Sequence, residues 1–242
     1  MLKITYHKNT KKRASKLDGL NSINTSALNN QFCIDMYKNK KSICSYCYAT
    51  NQEKQYTNVN KRYLNHLQIL SETILTDKQI KAFKFTSQYV RLHSFGELVN
   101  LNHLLNFYRI CELWPGLNFT LWTKRIDLIS KLSFKPNNLR LIYSNPILNR
   151  KLKAVLPRLK ALKFTAVFSV FDKLTAIANK TNINCNGNCK DCLLCYRPYN
   201  KPGIMQINEI LKSDQKIEPK TEKYIVQGIT RKQLNEYRET LK

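Results

Sequence analysis

Seven of the eight cysteines in this 242-residue chain fall into two groups. The downstream group places four cysteines within eleven residues, namely Cys185, Cys189, Cys192 and Cys195. Gaps of two or three residues allow one short loop to turn all four sulfurs toward one metal centre. The upstream group consists of Cys33, Cys44 and Cys47, and Cys111 stands apart. We therefore expect the chemistry of this chain to depend on thiolate-bound metal.

The spacing of the four downstream cysteines leaves two kinds of metal centre open. Tetrahedral zinc and iron–sulfur clusters both take thiolate ligands, and structural zinc sites usually combine two separated Cys-x-x-Cys pairs. Four consecutive cysteines with short gaps are closer to ferredoxin spacing, which favours an iron–sulfur cluster. The three upstream thiols would leave one iron of a [4Fe–4S] cluster open to a small molecule, as reductive radical chemistry with S-adenosylmethionine requires. In the alternative, Cys44 and Cys47 share one zinc site with two downstream thiols, and Cys33 is a buried packing residue.

The chain is strongly basic, with 41 Lys and Arg against 16 Asp and Glu and a formal net charge of +25. Such a charge repels itself unless a polyanion is near, and phosphate neutralisation supplies most non-specific nucleic-acid affinity. We expect DNA or RNA to be the partner, and a charge that merely follows composition is the alternative. Because no apolar run approaches a membrane span and no signal peptide is evident, we expect no membrane partner and a cytoplasmic location in a bacterial host, where thiols stay reduced.

The hydrophobic pattern predicts alternating helices and strands. Helical spacing covers 56–75, 98–111, 126–132 and a basic stretch at 148–156, whereas strand-like segments lie at 83–92, 117–122, 139–144 and 164–171. This alternation predicts βαβ units and a parallel sheet, that is, an α/β fold with an open or incomplete (β/α) barrel. We expect a basic N-terminal segment at 1–32, a core at 33–197, and an extension at 198–242 with a strand at 224–226 and a helix at 231–241.

Ligand sites in parallel sheets lie at the carboxyl ends of the strands. The polar residues that follow the predicted strands should therefore meet at one edge: His93, Ser94, Glu97, Thr123, Lys124, Arg125, Ser144, Asn145, Asp172 and Lys173. The four-Cys loop follows the last of these strands, so we expect the cysteine-rich loops at the same edge.

Several stretches together resemble the phage and plasmid gene-product-88 family, between about Lys16 and Tyr196. They are Asn24-Thr25-Ser26, Asn30, Cys33, the segment from Ile43 to Ala49, the segment from Arg91 to Leu98, and the terminal Cys-x3-Cys-x2-Cys-x2-Cys-Tyr. More distantly, the chain resembles radical S-adenosylmethionine enzymes, in which a Gly-Gly-Glu stretch closing the second strand binds the cofactor. Phe95-Gly96-Glu97 stands at that place, although the first cysteine gap holds ten residues where those enzymes have three. Thr123-Lys124-Arg125 resembles a strand end in a related phage family of radical-enzyme type.

This second resemblance implies roles for particular residues. Cys33, Cys44 and Cys47 would hold the reactive [4Fe–4S] cluster, and the four downstream cysteines would hold an auxiliary or structural one. Residues at the strand ends would bind S-adenosylmethionine, namely Ser94, Gly96, Glu97, Ser144 and Asn145. Candidate catalytic residues are Glu97, His93 as an acid–base, and Lys124 and Arg125 on substrate phosphate.

The sequence therefore predicts an iron–sulfur protein of mobile-element type, radical-enzyme-like, that acts on or near nucleic acid. A non-catalytic zinc or iron–sulfur nucleic-acid-binding protein is the competing class. An iron–sulfur nuclease is a third, less favoured possibility, because no carboxylate pattern beside a strand suggests a site for hard cations.

Overall fold

The structure is a computed structural model that describes residues 2–8, 16–150, 152, 155–197 and 203–211. The strand predicted at 224–226 and the helix predicted at 231–241 lie outside the described residues, as do Lys11, Lys12 and Arg13 of the basic N-terminal segment.

Seven strands in the described part of the chain form one sheet: β1 Thr5–Tyr6, β2 Asn21–Ile23, β3 Tyr89–Leu92, β4 Asn118–Thr123, β5 Leu139–Ser144, β6 Phe164–Phe171 and β7 Met205–Ile210. Their order across the sheet is their order along the chain, and all pairs except β1–β2 are parallel. Each connection between parallel strands therefore joins two neighbouring strands, and the chain advances across the sheet in one direction. Because β1 and β7 lie at opposite edges, the sheet is open. The predicted α/β class with a parallel sheet is confirmed.

Helices occupy most of the connections between strands: α1 Gln31–Lys38, α2 Tyr48–Gln55, α3 Thr57–Glu72, α4 Asp77–Lys81, α5 Leu101–Leu113, α6 Ile126–Ile129, α7 Leu156–Ala161, α8 Lys173–Ala178 and α9 Cys189–Cys192. A 3-10 turn at Ile43–Tyr46 separates α1 from α2. Two of the helices, α3 and α5, pack against each other, and the buried Asn106 amide of α5 donates hydrogen bonds to the carbonyls of Leu70 (2.8 Å) and Thr73 (2.7 Å). No helix in the described ranges is long and apolar enough to cross a membrane.

Successive side chains of the strands point to opposite faces of the sheet, and each face has its own core. On the first face, residues such as Leu121 pack with Leu104 and other buried side chains of the helices. On the second face, Trp122 and Ile142 pack with Tyr196 at the end of the four-Cys segment. Helices such as α3 and α5 thus pack on one face of the sheet, and the segment from Cys185 to Tyr196, which includes α9, packs on the other.

Most predicted elements of the central chain are found close to their expected places. The strands predicted at 139–144 and 164–171 coincide with β5 and β6, and the helix predicted over 56–75 is α3 at Thr57–Glu72. The prediction of a strand from Phe83 onward is wrong, because β3 begins only at Tyr89. The Phe85 ring instead packs edge-on against Trp114, with ring centroids 5.2 Å apart.

The basic helix predicted at 148–156 is also wrong for the described residues of that range, where helix begins only at Leu156. Asn149 has a φ of +64°, which a right-handed helix does not permit, and its N–H donates to the Val170 carbonyl of β6 at 3.0 Å. The helix begins instead where Pro157 occupies the first turn, a position where the missing N–H of proline costs nothing.

Candidate metal centre and adjoining pocket

A pocket of about 240 Å³ lies at the carboxyl ends of the parallel strands. Its lining includes residues in the last two positions of successive strands or just after them, namely His93, Ser94, Gly96, Glu97, Lys124, Ser144, Val170 and Ile210. Members of both cysteine groups line it too, namely Cys44 and Cys47 with Cys185, Cys189 and Cys195. Two thiol groups that are far apart in the sequence therefore face one cavity.

The first cysteine of the upstream group lies on α1, which begins directly after Asn30. The Asn30 side-chain oxygen accepts from the Cys33 N–H at 3.4 Å, and its amide donates to the Glu97 carbonyl at 2.8 Å. One buried asparagine thus ties Cys33 to the loop after β3. Burial raises the pKa of the Cys33 thiol, and the nearby Glu97 carboxylate adds to the effect. Such a thiol stays protonated at neutral pH unless a metal replaces its proton.

The other two upstream cysteines belong to the 3-10 turn between α1 and α2: Cys44 lies within the turn, and Cys47 directly follows it. Ser42 caps this turn by accepting from the Cys44 N–H at 3.1 Å, and the Cys47 N–H donates to the Cys44 carbonyl at 3.0 Å. The Ile43 N–H donates to the Pro146 carbonyl at 2.8 Å, which joins the turn to the chain just after β5. These bonds hold Cys44 and Cys47 in the wall of the pocket.

Glu97 and Lys124 are oppositely charged residues beside the upstream thiols. Glu97 is 4% exposed, and its carboxylate accepts from the Thr123 hydroxyl (2.7 Å), the Lys124 N–H (2.8 Å) and the Leu98 N–H (2.9 Å). The Lys124 ammonium donates to the Ser144 hydroxyl at 3.1 Å. Burial lowers the pKa of Lys124, but the Cys44, Cys33 and Cys47 thiols together with Glu97 outweigh burial and raise it above its usual value. Lys124 is therefore a charged cation next to the upstream group.

The four-Cys segment runs across the second face of the sheet. The Cys185 N–H donates to the Asn208 carbonyl of β7 at 3.1 Å, and the Cys189 N–H donates to the Lys16 carbonyl at 2.8 Å. At its far end, the Thr120 hydroxyl of β4 donates to the Cys195 carbonyl at 3.1 Å. All four cysteines line a small cavity of about 20 Å³. Burial raises the pKa of the Cys195 thiol to about 12.

The cysteines of each group lie in the same part of the fold, but their side chains are not placed as the ligands of a bound metal would be. Within the described ranges, no group of three or more Cys, His, Asp or Glu side chains is placed so that it could hold a metal ion. All eight cysteines are free of disulfide bonds. The fold thus brings the thiols of each group to a common place, and metal binding stays a prediction.

His93 lies in the pocket wall and forms a buried pair with His103 of α5. The two Nε2 atoms are 3.2 Å apart, and the Nδ1 atom of His93 has no hydrogen-bond partner among the described residues. Burial lowers the pKa of His103 to about 3, and burial together with repulsion between the protonated forms of the two rings lowers the pKa of His93 well below its usual value. Both rings are therefore neutral at pH 7.

Five of the residues predicted at the carboxyl ends of the strands lie outside the pocket lining, namely Thr123, Arg125, Asn145, Asp172 and Lys173. The Arg125 guanidinium forms an ion pair with Asp127 at 2.7 Å and donates to the Leu98 carbonyl at 2.9 Å. The Asn145 amide is buried and donates to the Arg150 carbonyl at 2.6 Å. Asp172 caps α8 through the Thr175 N–H at 2.7 Å. Each of these contacts holds a loop in place.

The pocket is also lined by charged and aromatic residues that were not among the predicted site residues, including Lys16, Arg91, Trp122 and Glu209. The Arg91 guanidinium carbon lies 4.0 Å from the centroid of the Trp122 ring, and the Lys16 ammonium lies 2.7 Å from a Glu209 carboxylate oxygen. Arg91 could have been found from the sequence, because an arginine at an alternating position of a buried strand must face the second side of the sheet. Lys16 and Glu209 are 193 residues apart, and nothing in the pattern pairs them.

These observations define an α/β protein with an open, mostly parallel sheet and a cysteine-lined pocket at the carboxyl ends of its strands. A family model described as gene product 88 matches residues 3–218. The chain therefore belongs to the gene product 88 family, which confirms the predicted resemblance to it. No curated protein and no solved structure gives a significant match.

Proposed function

We propose that this protein is an iron–sulfur enzyme of radical S-adenosylmethionine type, with a [4Fe–4S] cluster on Cys33, Cys44 and Cys47. The observation that carries the proposal is that Cys44 and Cys47 lie in the wall of a pocket formed by the carboxyl ends of sequentially ordered parallel strands. Three thiolates would leave the fourth iron free to bind a small molecule in that pocket. The strand order fits an incomplete (β/α) barrel, in which this edge is the usual place for catalysis.

The chemistry of the surrounding residues fits such a cluster. Thiolates are the donors that iron–sulfur clusters take, and the three upstream thiols are close enough that Cys44 and Cys47 both raise the pKa of Cys33. A cluster with three thiolates is anionic, and the half-buried Lys124 ammonium beside all three thiols supplies positive charge. Glu97 already faces this ammonium, and an anionic cluster would be a second negatively charged partner for it.

The pocket also has polar groups for a zwitterionic cofactor. Of the predicted cofactor-binding residues, four line the pocket, namely Ser94, Gly96, Glu97 and Ser144. Asn145 would act only by holding the chain after β5 in place. A carboxylate has about four acceptor sites, and Glu97 uses two at Oε1 and one at Oε2, so Oε2 can accept from a cofactor ammonium. S-adenosylmethionine, when bound beside a reduced cluster, would supply one-electron reductive cleavage chemistry. His93 is neutral, and its proton is on Nδ1: His103 Nδ1 accepts from the Val99 N–H at 3.4 Å, so His103 Nε2 donates to His93 Nε2. His93 would therefore act as a proton donor through Nδ1, which has no partner among the described residues.

We propose that the downstream cysteines hold a second, auxiliary or structural metal–thiolate centre. All four line one small cavity, and three of them also face the pocket. Iron–sulfur and zinc occupancy remain the alternatives for this loop, since both use thiolate.

The proposed partner of the protein is nucleic acid, on the strength of its net charge of +25. If both thiol groups held zinc, the same charge would favour the alternative of a non-catalytic nucleic-acid-binding protein. A series of DNA and RNA binding measurements at increasing salt tests this partner, and affinity that does not fall with salt would exclude phosphate contacts as its source.

The test of the catalytic proposal is reductive cleavage of S-adenosylmethionine by anaerobically reconstituted protein with dithionite. We expect 5′-deoxyadenosine from the wild type and none from Cys44→Ala. Cys111→Ala is the matched control, because Cys111 lies in the main core, away from both thiol groups, and should retain cleavage. Absence of cleavage by iron-loaded wild-type protein would contradict the proposal.

A further inference from the structure

Two buried side chains, one beneath the four-Cys segment and one at its end, have hydrogen-bond donors with no acceptor among the described residues. Arg140 of β5 is 8% exposed; one of its terminal nitrogens donates to the Leu194 carbonyl at 3.2 Å, and the other, Nη2, has no partner among the described residues. The Tyr196 hydroxyl, on a residue 1% exposed, also has no partner there. A buried donor without an acceptor is unfavourable, more so when charged, so these groups suggest an anion at this place.

A second arginine lies on the same row of the sheet. Arg91 of β3 is opposite Thr120 of β4, and Thr120 is opposite Arg140 of β5. The three side chains therefore point to the same face, and Thr120 contacts the Cys195 carbonyl there. The four-Cys segment packs against this face. A row with two guanidinium groups thus lies beneath the four thiols.

Within the described ranges, no carboxylate forms an ion pair with Arg91 or Arg140. The ion pairs found there involve other basic residues. Burial lowers the pKa of Arg91, but the Tyr196 and Tyr48 phenols and the thiols of Cys189 and Cys195 outweigh it and raise the pKa. Burial lowers the pKa of Arg140, and the Cys195 thiol opposes this only in part. Both arginines are therefore within electrostatic range of thiols of the loop.

We propose that Arg91 and Arg140 neutralise an anionic metal–thiolate centre held by Cys185, Cys189, Cys192 and Cys195. Four thiolates around one divalent ion, or around an oxidised four-iron cluster, leave about two excess negative charges, which two guanidinium groups match. The arginines are positioning and charge-balancing residues and do not ligate the metal. This inference rests on the proposed second centre and is independent of the cleavage chemistry.

The experiment isolates the downstream centre in a Cys33→Ala, Cys44→Ala, Cys47→Ala background. Zn²⁺ affinity is measured by competition with a chromophoric chelator, and iron and sulfide retention is measured after anaerobic reconstitution. We expect Arg91→Met and Arg140→Met each to weaken Zn²⁺ binding, or cluster retention against a chelator, by about 10- to 100-fold, the usual effect of losing an outer-shell partner. Arg91→Lys and Arg140→Lys should recover most of the loss, because they keep the charge. Arg158→Met, on the exposed surface of α7, is the matched control and should bind as the background does.

Equal metal affinity in the background and both Met variants would overturn the proposal, and so would a background protein that binds neither metal. Failure of the Lys variants to recover binding would overturn the charge-balancing role. If metal binding follows the expected order while the wild type does not cleave S-adenosylmethionine, the catalytic proposal fails and this inference stands.

Discussion

The backbone of Gly96 lies directly against Thr25. A Cβ atom built on Gly96 would come within 2.6 Å of the Thr25 carbonyl oxygen and closer still to its hydroxyl, and the Thr25 N–H donates to the Phe95 carbonyl at 3.2 Å. Gly96 also has a φ of +87°, a conformation that residues with a side chain rarely adopt. The loops after β2 and β3 are thus held together at a place that only glycine can occupy, and this contact sets the pocket wall beside Glu97.

Gly96→Ala should therefore lower the free energy of unfolding by about 1–3 kcal/mol, from the strained φ and the clash with Thr25. Urea unfolding followed by circular dichroism measures the change. Gly116→Ala is the matched control, because no atom lies within 4 Å of its added Cβ. Equal stability of the two variants would contradict the close approach of the two loops.

Glu97→Gln tests the hydrogen bonds that join the end of β3 to the end of β4. Its carboxylate accepts three hydrogen bonds, and an amide in its place would set an N–H against one of these donors. We expect a loss of about 1–3 kcal/mol in the free energy of unfolding. The exposed Glu112→Gln should change stability by less than about 0.5 kcal/mol. A Glu97→Gln variant as stable as Glu112→Gln would mean that these bonds contribute little.

The buried histidine pair should make stability depend on pH. The pKa of His103 is about 3 in the native protein against 6.5 for an unperturbed histidine, so the unfolded state binds a proton between those values that the native state excludes. The free energy of unfolding should thus fall as the pH is lowered from 6.5, by about 1.4 kcal/mol per pH unit for each excluded proton. His93 contributes in the same direction.

Urea unfolding between pH 7 and pH 5 measures this slope. His103→Gln should reduce it, because the variant has one buried histidine fewer and because His93 loses a neighbour that lowers its pKa. An unchanged slope would exclude His103 as its source.

The order of helices and strands could be predicted from the sequence because the parallel strands are buried, apolar segments bounded by polar residues, proline or glycine. β5 and β6 were predicted to the residue, since Leu139–Ser144 and Phe164–Phe171 are mostly apolar or β-branched and are followed by polar residues. The placement of His93, Glu97 and Lys124 around one cavity followed from the same reasoning. Short strands such as β1 and β2 carry too few residues for any periodicity to stand out.

Other parts of the site depend on tertiary contacts that no local pattern records. The Asn24 side-chain oxygen accepts from the Ser94 hydroxyl at 2.6 Å and from its N–H at 3.0 Å, across 70 residues. The four-Cys segment was expected at the strand ends; three of its cysteines do line the pocket there, while its backbone reaches Thr120 within β4. Its position over Arg140 could not be inferred from cysteine spacing alone.

The most direct test of the upstream centre is the iron and acid-labile sulfide content of anaerobically purified protein, wild type against Cys44→Ala. We expect brown wild-type protein with about four to eight irons per chain, and a loss of about four irons in Cys44→Ala. Colourless wild-type protein that contains zinc, or an iron content that Cys44→Ala leaves unchanged, would contradict a cluster on Cys33, Cys44 and Cys47.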